Sequence, residues 1–227
     1  LFATMGFGTI INLAAYFLTL SGLLVFHGVV SYGLLLKATT GLNPGILRTK
    51  MRRVWAFAFS TASSGATLPI TLRTVEKRLG VPKSVAGFAI PLGATVNMDG
   101  TAIMQGVATV FIAQVYGIEL SAMQLLMVIL TATLASSGTA AVPGVGLMTL
   151  SLVLTQAGLP VEGVALIIGV DRLLDMIRTA VNVTGDATVA TIVAHREGQL
   201  DETIYNDPHA DSDMGSEAAA AESSEVS

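Results

Sequence analysis

The sequence predicts an all-α integral membrane protein with two re-entrant helical hairpins and a broken transmembrane helix. Three observations lead there. The chain is 52% hydrophobic and 12% charged, with a mean hydropathy of +0.69, whereas a soluble domain usually carries about 25% charged residues. Two small-residue motifs that end in proline, Ser63–Pro69 and Ser136–Pro143, form a weak internal repeat, and paired interrupted segments mark binding sites between inverted repeats. Finally, an apolar segment near the end holds a row of charges, and ionisable residues inside a membrane helix point to function.

Taken in order, Leu1–Phe17 reads as the end of one membrane helix and Leu18–Leu36 as a second, since about 20 apolar residues cross a bilayer. The chain opens at Leu1 inside an apolar stretch, without a Met or a basic leader, so further helices upstream are expected. Gly41-Leu42-Asn43-Pro44 is a turn. Basic residues then flank the apolar stretch Val54–Leu72, and nine of the 12 Lys and Arg fall between positions 37 and 83. The positive-inside rule puts both flanks in the cytoplasm. A segment with both ends on one side does not cross, so it is expected to turn back at Ser63–Pro69. Non-helical backbone at that depth requires cover from protein or water.

Val85–Val115 is a long apolar segment interrupted at Pro91, Gly93 and Asn97–Gly100. Gly117–Ser121 is a short turn. Met123–Leu159 repeats the hairpin pattern around Ser136–Pro143, and Val161–Ala194 is the last helix. The tail His195–Ser227 holds nine of the 16 acidic residues. The 194 residues before it carry seven acids against 11 bases, a net of +4. Rich in Ala, Ser, Asp and Glu, the tail predicts a disordered, solvated segment. There is no cysteine, which excludes disulfides and thiolate chemistry.

The last helix is the most informative. Asp171, Asp175, Arg178, Asn182 and Asp186 fall on one stripe about 80° wide at 100° per residue. Each central charge costs about 2.5–3.5 kcal/mol on insertion scales, so these groups need partners. Asp175 and Arg178 can pair at i,i+3. Asp171 and Asp186 are left without an Arg partner, which invites a cation. In Asn97-Met98-Asp99-Gly100-Thr101, Asn97 and Asp99 offer hard oxygens, with carbonyls freed by the helix break. Ser63, Ser64, Ser136, Ser137 and Thr139 line the hairpin tips, where following helix N-termini favour an anion. Trp55 reads as an interface anchor. His27, His195 and His209 are isolated and carry no expected role. The basic run is a topology signal, so no nucleic acid is expected as a partner.

Four stretches resemble the dicarboxylate/amino acid:cation symporter family, the glutamate transporter homologues. They are Ser63–Pro69 (SSGATLP), Pro91–Thr101 (PLGATVNMDGT), Ala135–Gly144 (ASSGTAAVPG) and Gly169–Asp186 (GVDRLLDMIRTAVNVTGD). The resemblance implies a glutamate-transporter-like fold. Residues 1–17 would end a scaffold helix, 18–194 would form the transport domain, and 195–227 would be an acidic cytoplasmic tail. It implies a multi-pass plasma-membrane symporter, not an enzyme, that works as a homotrimer. Each protomer would import aspartate or glutamate with sodium by an elevator movement, with the second hairpin as outer gate.

For the site, the resemblance implies that Arg178 holds the substrate's side-chain carboxylate and Asp175 its amino group. Thr179, Asn182, Thr101 and the backbone of Ser64 and Val142 complete the pocket. One sodium would sit with Asp186, Asn182 and the carbonyls of Gly93 and Asn97. Another would use carbonyls of Thr95, Ser136, Ser137 and Thr139. A third would use Asp99 and the Asn97 side chain. Met98 would lie between the ion and substrate sites. Ala62 and Met176 stand where many acidic-substrate members carry a second Arg. The alternatives are a proton-coupled or C4-dicarboxylate symporter of the same family, and an anion channel. An Asp99/Asp175 acid dyad is disfavoured because Arg178 would hold Asp175 ionised.

Overall fold

A computed structural model describes residues 7–210, and among these every regular element is helical. The first run joins α1 (Phe7–Phe26), a π-helical turn (His27–Ser31) and α2 (Tyr32–Thr40). The sequence expectation of two helices dividing at 17/18 is therefore corrected: the chain passes that point inside α1, and its irregularity lies ten residues later. Of this run, Ile11–Thr40 is long and apolar enough to cross a membrane. Gly41, left-handed at φ 76°, ends α2. Asn43 caps α3 (Pro44–Thr61), its side chain accepting from the Gly45 amide, with Pro44 at the first helical position.

Helix α3 and α4 (Ser64–Lys77) pack as a hairpin whose turn is only Ala62 and Ser63. The tip is shorter than the expected Ser63–Pro69. Ser63 caps α4 by accepting from the Ala66 amide, so helix resumes at once and Pro69 lies inside it. Ala62 takes the left-handed φ of 51° to make the reversal, a conformation unusual without glycine.

Helix α5 (Lys83–Val96) and α6 (Asp99–Val115) are separated by Asn97 and Met98 alone. Pro91 and Gly93, expected as breaks, stay within α5. Helix α7 (Ala122–Ser136) opens with a reciprocal Ser121–Gln124 capping box. Eight residues without regular structure, 137–144, lead into α8 (Val145–Ala157). A single 3₁₀ turn (Val161–Gly163) precedes α9 (Val164–Arg196).

Helix α9 is 33 residues long, about 50 Å, and is the axis of the fold. Ile167, Leu174 and Val181 join the cluster formed with α1, α6, α7 and α8. Val183, Ala187, Ala190 and Ala194 join the cluster formed with α2 to α5. The two hairpins thus pack along different lengths of one helix. Arg172, beside the charged stripe, is exposed.

The expectation of disorder from His195 fails over 195–210. Helix α9 runs on to Arg196, and residues 199–210 fold back as a strap containing α10 (Glu202–Asn206). Tyr205 is 0% exposed and Lys50 2%. The Lys50 ammonium donates to the carbonyls of Arg78, Ile204 and Tyr205 at 2.6–2.7 Å, matching its three donors. Arg78 donates to the Lys50 and Ala210 carbonyls, the Tyr205 hydroxyl to the Asn43 carbonyl and the Asp201 amide to the Gly80 carbonyl. The strap is therefore locked to both arms of the first hairpin at its base. The remainder of the acidic tail, 211–227, lies outside the described residues.

Candidate functional site

The charged stripe of α9 is buried as a unit. Asp171, Asp175, Arg178, Thr179, Asn182 and Asp186 are all 5% exposed or less. Arg178 Nη2 donates to Asp175 Oδ1 at 2.6 Å, and Arg178 Nη1 lies 3.6 Å from Asp171 Oδ1. Beyond hydrogen-bond range of each other, those last two atoms have no hydrogen-bond partner among the described residues. A buried donor left in that state costs about 1–3 kcal/mol, more when charged.

The two hairpin tips meet over this stripe. The Ser63 hydroxyl and the Gly65 amide both donate to the Ala141 carbonyl, at 2.7 and 3.0 Å. The Gly144 amide, at a left-handed residue before α8, donates to Asp175 Oδ2 at 3.0 Å. Asp175 thus bridges Arg178 and the second tip. Beneath the tips lies a cavity of about 20 Å³, and Ser64, Thr101, Val142, Asp175, Arg178, Thr179 and Asn182 all line it. These are the seven residues that the resemblance assigns to a substrate pocket. The space holds about one water, too little for an amino acid.

The break between α5 and α6 packs against the same face. Asn182 Oδ1 accepts from the Gly100 amide at 2.8 Å, and its Nδ2 reaches Met98 Sδ and Thr101 Oγ1. Asn97 Nδ2 donates to Asp186 Oδ1 at 3.0 Å. A Cβ at Gly93 would lie 2.5 Å from that oxygen, so glycine is what lets the carboxylate lie against α5. Asp186 has no basic partner among the described residues.

The other residues assigned to ions lie in varied settings. Ser136, buried, and Ser137 both donate to the Thr133 carbonyl. Thr139 donates to the Ala135 carbonyl and touches Thr149, which accepts from the buried Gln105. Thr95 is exposed and donates to the Leu92 carbonyl.

Two residues read as having no site role or another role are placed differently. His27 Nε2 lies 3.2 Å from Asp99 Oδ2, and Tyr32 donates to the same oxygen at 2.9 Å. No local pattern signals this contact, because His27 and Asp99 lie 72 residues apart. Trp55 donates its indole N–H to Thr184 at 2.7 Å, joining the first hairpin to α9.

A buried charged stripe on one helix, capped by two hairpin tips and a helix break, is a build found in membrane transporters. The chain belongs to the sodium:dicarboxylate symporter family, whose model matches residues 1–196. It is 51% identical over 183 residues to an excitatory amino acid transporter of Caenorhabditis elegans, covering 81% of this chain and 36% of that protein. Against excitatory amino acid transporter 2 of Homo sapiens it is 46% identical over 184 residues, covering 81% and 32%. Against a putative sodium-dependent excitatory amino acid transporter, glt-3, of Caenorhabditis elegans it is 42% identical over 214 residues, covering 88% and 40%. The chain spans about a third of the length of the relatives it matches.

Proposed function

We propose that the full-length protein carrying this chain imports aspartate or glutamate together with sodium. The observation that carries this reading is Arg178: a buried guanidinium on the wall of a small cavity, with one nitrogen 3.6 Å from Asp171 and lacking a hydrogen-bond acceptor. A substrate carboxylate supplies that acceptor in a geometry the planar guanidinium matches. A substrate without a side-chain carboxylate draws Asp175 to its ammonium and gives Arg178 nothing in exchange, which is unfavourable in a buried site. Asp175 then turns to the substrate's ammonium, which disfavours plain C4-dicarboxylates.

The resting contacts suggest the order of events. Asp175 occupies Arg178 and the Gly144 amide at once. An entering amino acid offers Arg178 another carboxylate and Asp175 an ammonium, which releases the second tip from its hold. With room for about one water, the pocket admits an amino acid only when that tip lifts. Asp186 is buried with a neutral amide partner, and a sodium ion there would take its carboxylate, the oxygen of Asn182 and the carbonyls of Gly93 and Asn97 as ligands. The Thr95, Ser136, Ser137 and Thr139 carbonyls, and Asp99 with Asn97, are further sodium ligands in this reading. The hairpins re-enter rather than cross, the tail is cytoplasmic, and the plasma-membrane homotrimer moves each transport domain as an elevator.

The test is uptake of labelled L-aspartate into proteoliposomes holding the full-length protein. Sodium-driven uptake is expected, with Arg178→Ala and Asp175→Ala each losing at least about 100-fold, as when one partner of a buried charge pair is removed. Uptake driven by protons alone overturns the sodium sites. Transport of succinate or serine in place of aspartate and glutamate overturns the roles of Arg178 and Asp175.

A further inference from the structure

We infer that the π-turn His27–Ser31, braced by Arg48 of the first hairpin, sets the orientation of the Asp99 carboxylate, making Arg48 and Gly33 positioning residues for a cation at Asp99. The inference rests on the reading that Asp99 serves sodium.

The reason lies in helix geometry. Residues five apart on an α-helix point about 140° apart, so His27 and Tyr32 could not both reach one oxygen atom from a regular helix. The π-turn closes an i to i+5 bond, from the Tyr32 amide to the His27 carbonyl. This wider turn stacks the two residues, whose rings meet edge-on with centroids 4.6 Å apart. Both then hold Asp99 Oδ2, at 3.2 and 2.9 Å. Asp99 opens α6, so its side chain would otherwise be held by the helix start alone.

A π-turn is a rare conformation, found mostly as single turns inside α-helices and frequently at functional sites, and this one has a brace. Arg48 Nη2 crosses from α3 to donate to the Val29 carbonyl, inside the turn, at 2.6 Å. It passes over Gly33, where a Cβ would lie 2.5 Å from Nη2. On the far side, a Cβ at Gly185 of α9 would strike the Tyr32 hydroxyl and Asn97 Nδ2. Tyr32 is therefore wedged among Asp99, Asn97 and α9, and moving it disturbs the oxygens of two carboxylates. The first hairpin thereby reports to Asp99 through the backbone of α1–α2, without touching it.

The experiment is a sodium titration of thermal stability on the purified full-length protein in detergent without amino acid. It reads binding and not transport. Arg48→Met removes the brace, and Gly33→Ala displaces it by steric conflict. Each is expected to raise the sodium concentration for half-maximal stabilisation about 10-fold, the low end of what outer partners contribute to metal affinity. Aspartate affinity at saturating sodium should stay within about twofold of wild type, since neither residue touches the cavity. Because both act on one contact, the double variant should be no weaker than Gly33→Ala alone, and Arg48→Lys should recover part of the loss. Asp99→Asn, run in parallel, separates the two claims. An unchanged sodium midpoint in Asp99→Asn overturns the assignment of sodium to Asp99. A shift in Asp99→Asn with wild-type midpoints in both brace variants overturns the positioning role.

Discussion

The two hairpins have similar motifs at their tips, and what separates them is the length of the reversal and how their bases are held. The first reverses over two residues, Ala62 and Ser63, while the second takes eight, 137–144. The first buries Leu47, Met51, Val54 and Ala58 along α3. In the second, α7 buries Val128, Ala132 and Ser136, and α8 buries Leu150, Val153 and Leu154. The first is also tied to α9 by Trp55 and closed at its base by the strap. The second tip is held by the Ala141 carbonyl and the Gly144 amide, both at the pocket that substrate would fill. The lesson is that local stability differs between like motifs according to what ties them down beyond their own packing. In the proposed reading, the second tip is the one that lifts.

The comparison can be broken most severely at the strap. Tyr205→Ala should weaken docking by about 3–5 kcal/mol, the range for a fully buried aromatic side chain. Hydrogen exchange should then accelerate at both arms near the hairpin base, and remain unchanged at 137–144. If the second tip loosens equally, the two hairpins are not independently anchored.

Lys50→Met should act in the same direction by roughly 1.5–3 kcal/mol, the range for hydrogen bonds to a charged group. Burial and the neighbouring Arg78 push the Lys50 ammonium down to about 8 from its ordinary 10.5. The undocked strap therefore binds more protons between about pH 8 and 10.5, and docking strengthens as pH rises through that window. The gain is partial, because a neutral amine has two hydrogens for three carbonyls. Protease resistance of the strap should rise over that interval in the wild type and stay flat in Lys50→Met.

The smallest change sharpens the contrast. Ser63→Ala removes a helix cap, worth about 1 kcal/mol, and also a hydrogen bond to the opposite tip. Its larger effect on exchange should appear at 137–144 and not in α3, because the strap and the α3 core still hold the first hairpin. Slowed exchange of both tips, or faster exchange confined to α3, would contradict that ranking.

Much of the site was legible from sequence because helical periodicity fixes which residues share a face. Asp171 through Asp186 line one stripe whether or not tertiary structure is known, and the small-residue motifs located both reversals. The small-residue motif makes the first tip look longer than it is, because Ser63 caps α4 at once and Pro69 lies inside that helix. The strap was hidden by composition: Leu200, Ile204 and Tyr205 are too few apolar residues to outweigh the surrounding acids, and their partners on Lys50 and Asn43 lie more than 150 positions away. The π-turn has no signature in His27–Ser31, and Asp99 is what gives it meaning.

The most direct measurement is hydrogen exchange on the full-length protein in sodium, with and without L-aspartate, compared between residues 62–66 and 137–144. Fast exchange at 137–144 that aspartate slows at least about tenfold, with 62–66 protected and unchanged throughout, is the predicted result. Protection of 62–66 by aspartate with no change at 137–144 would contradict the account, since the first hairpin would then be the element that moves.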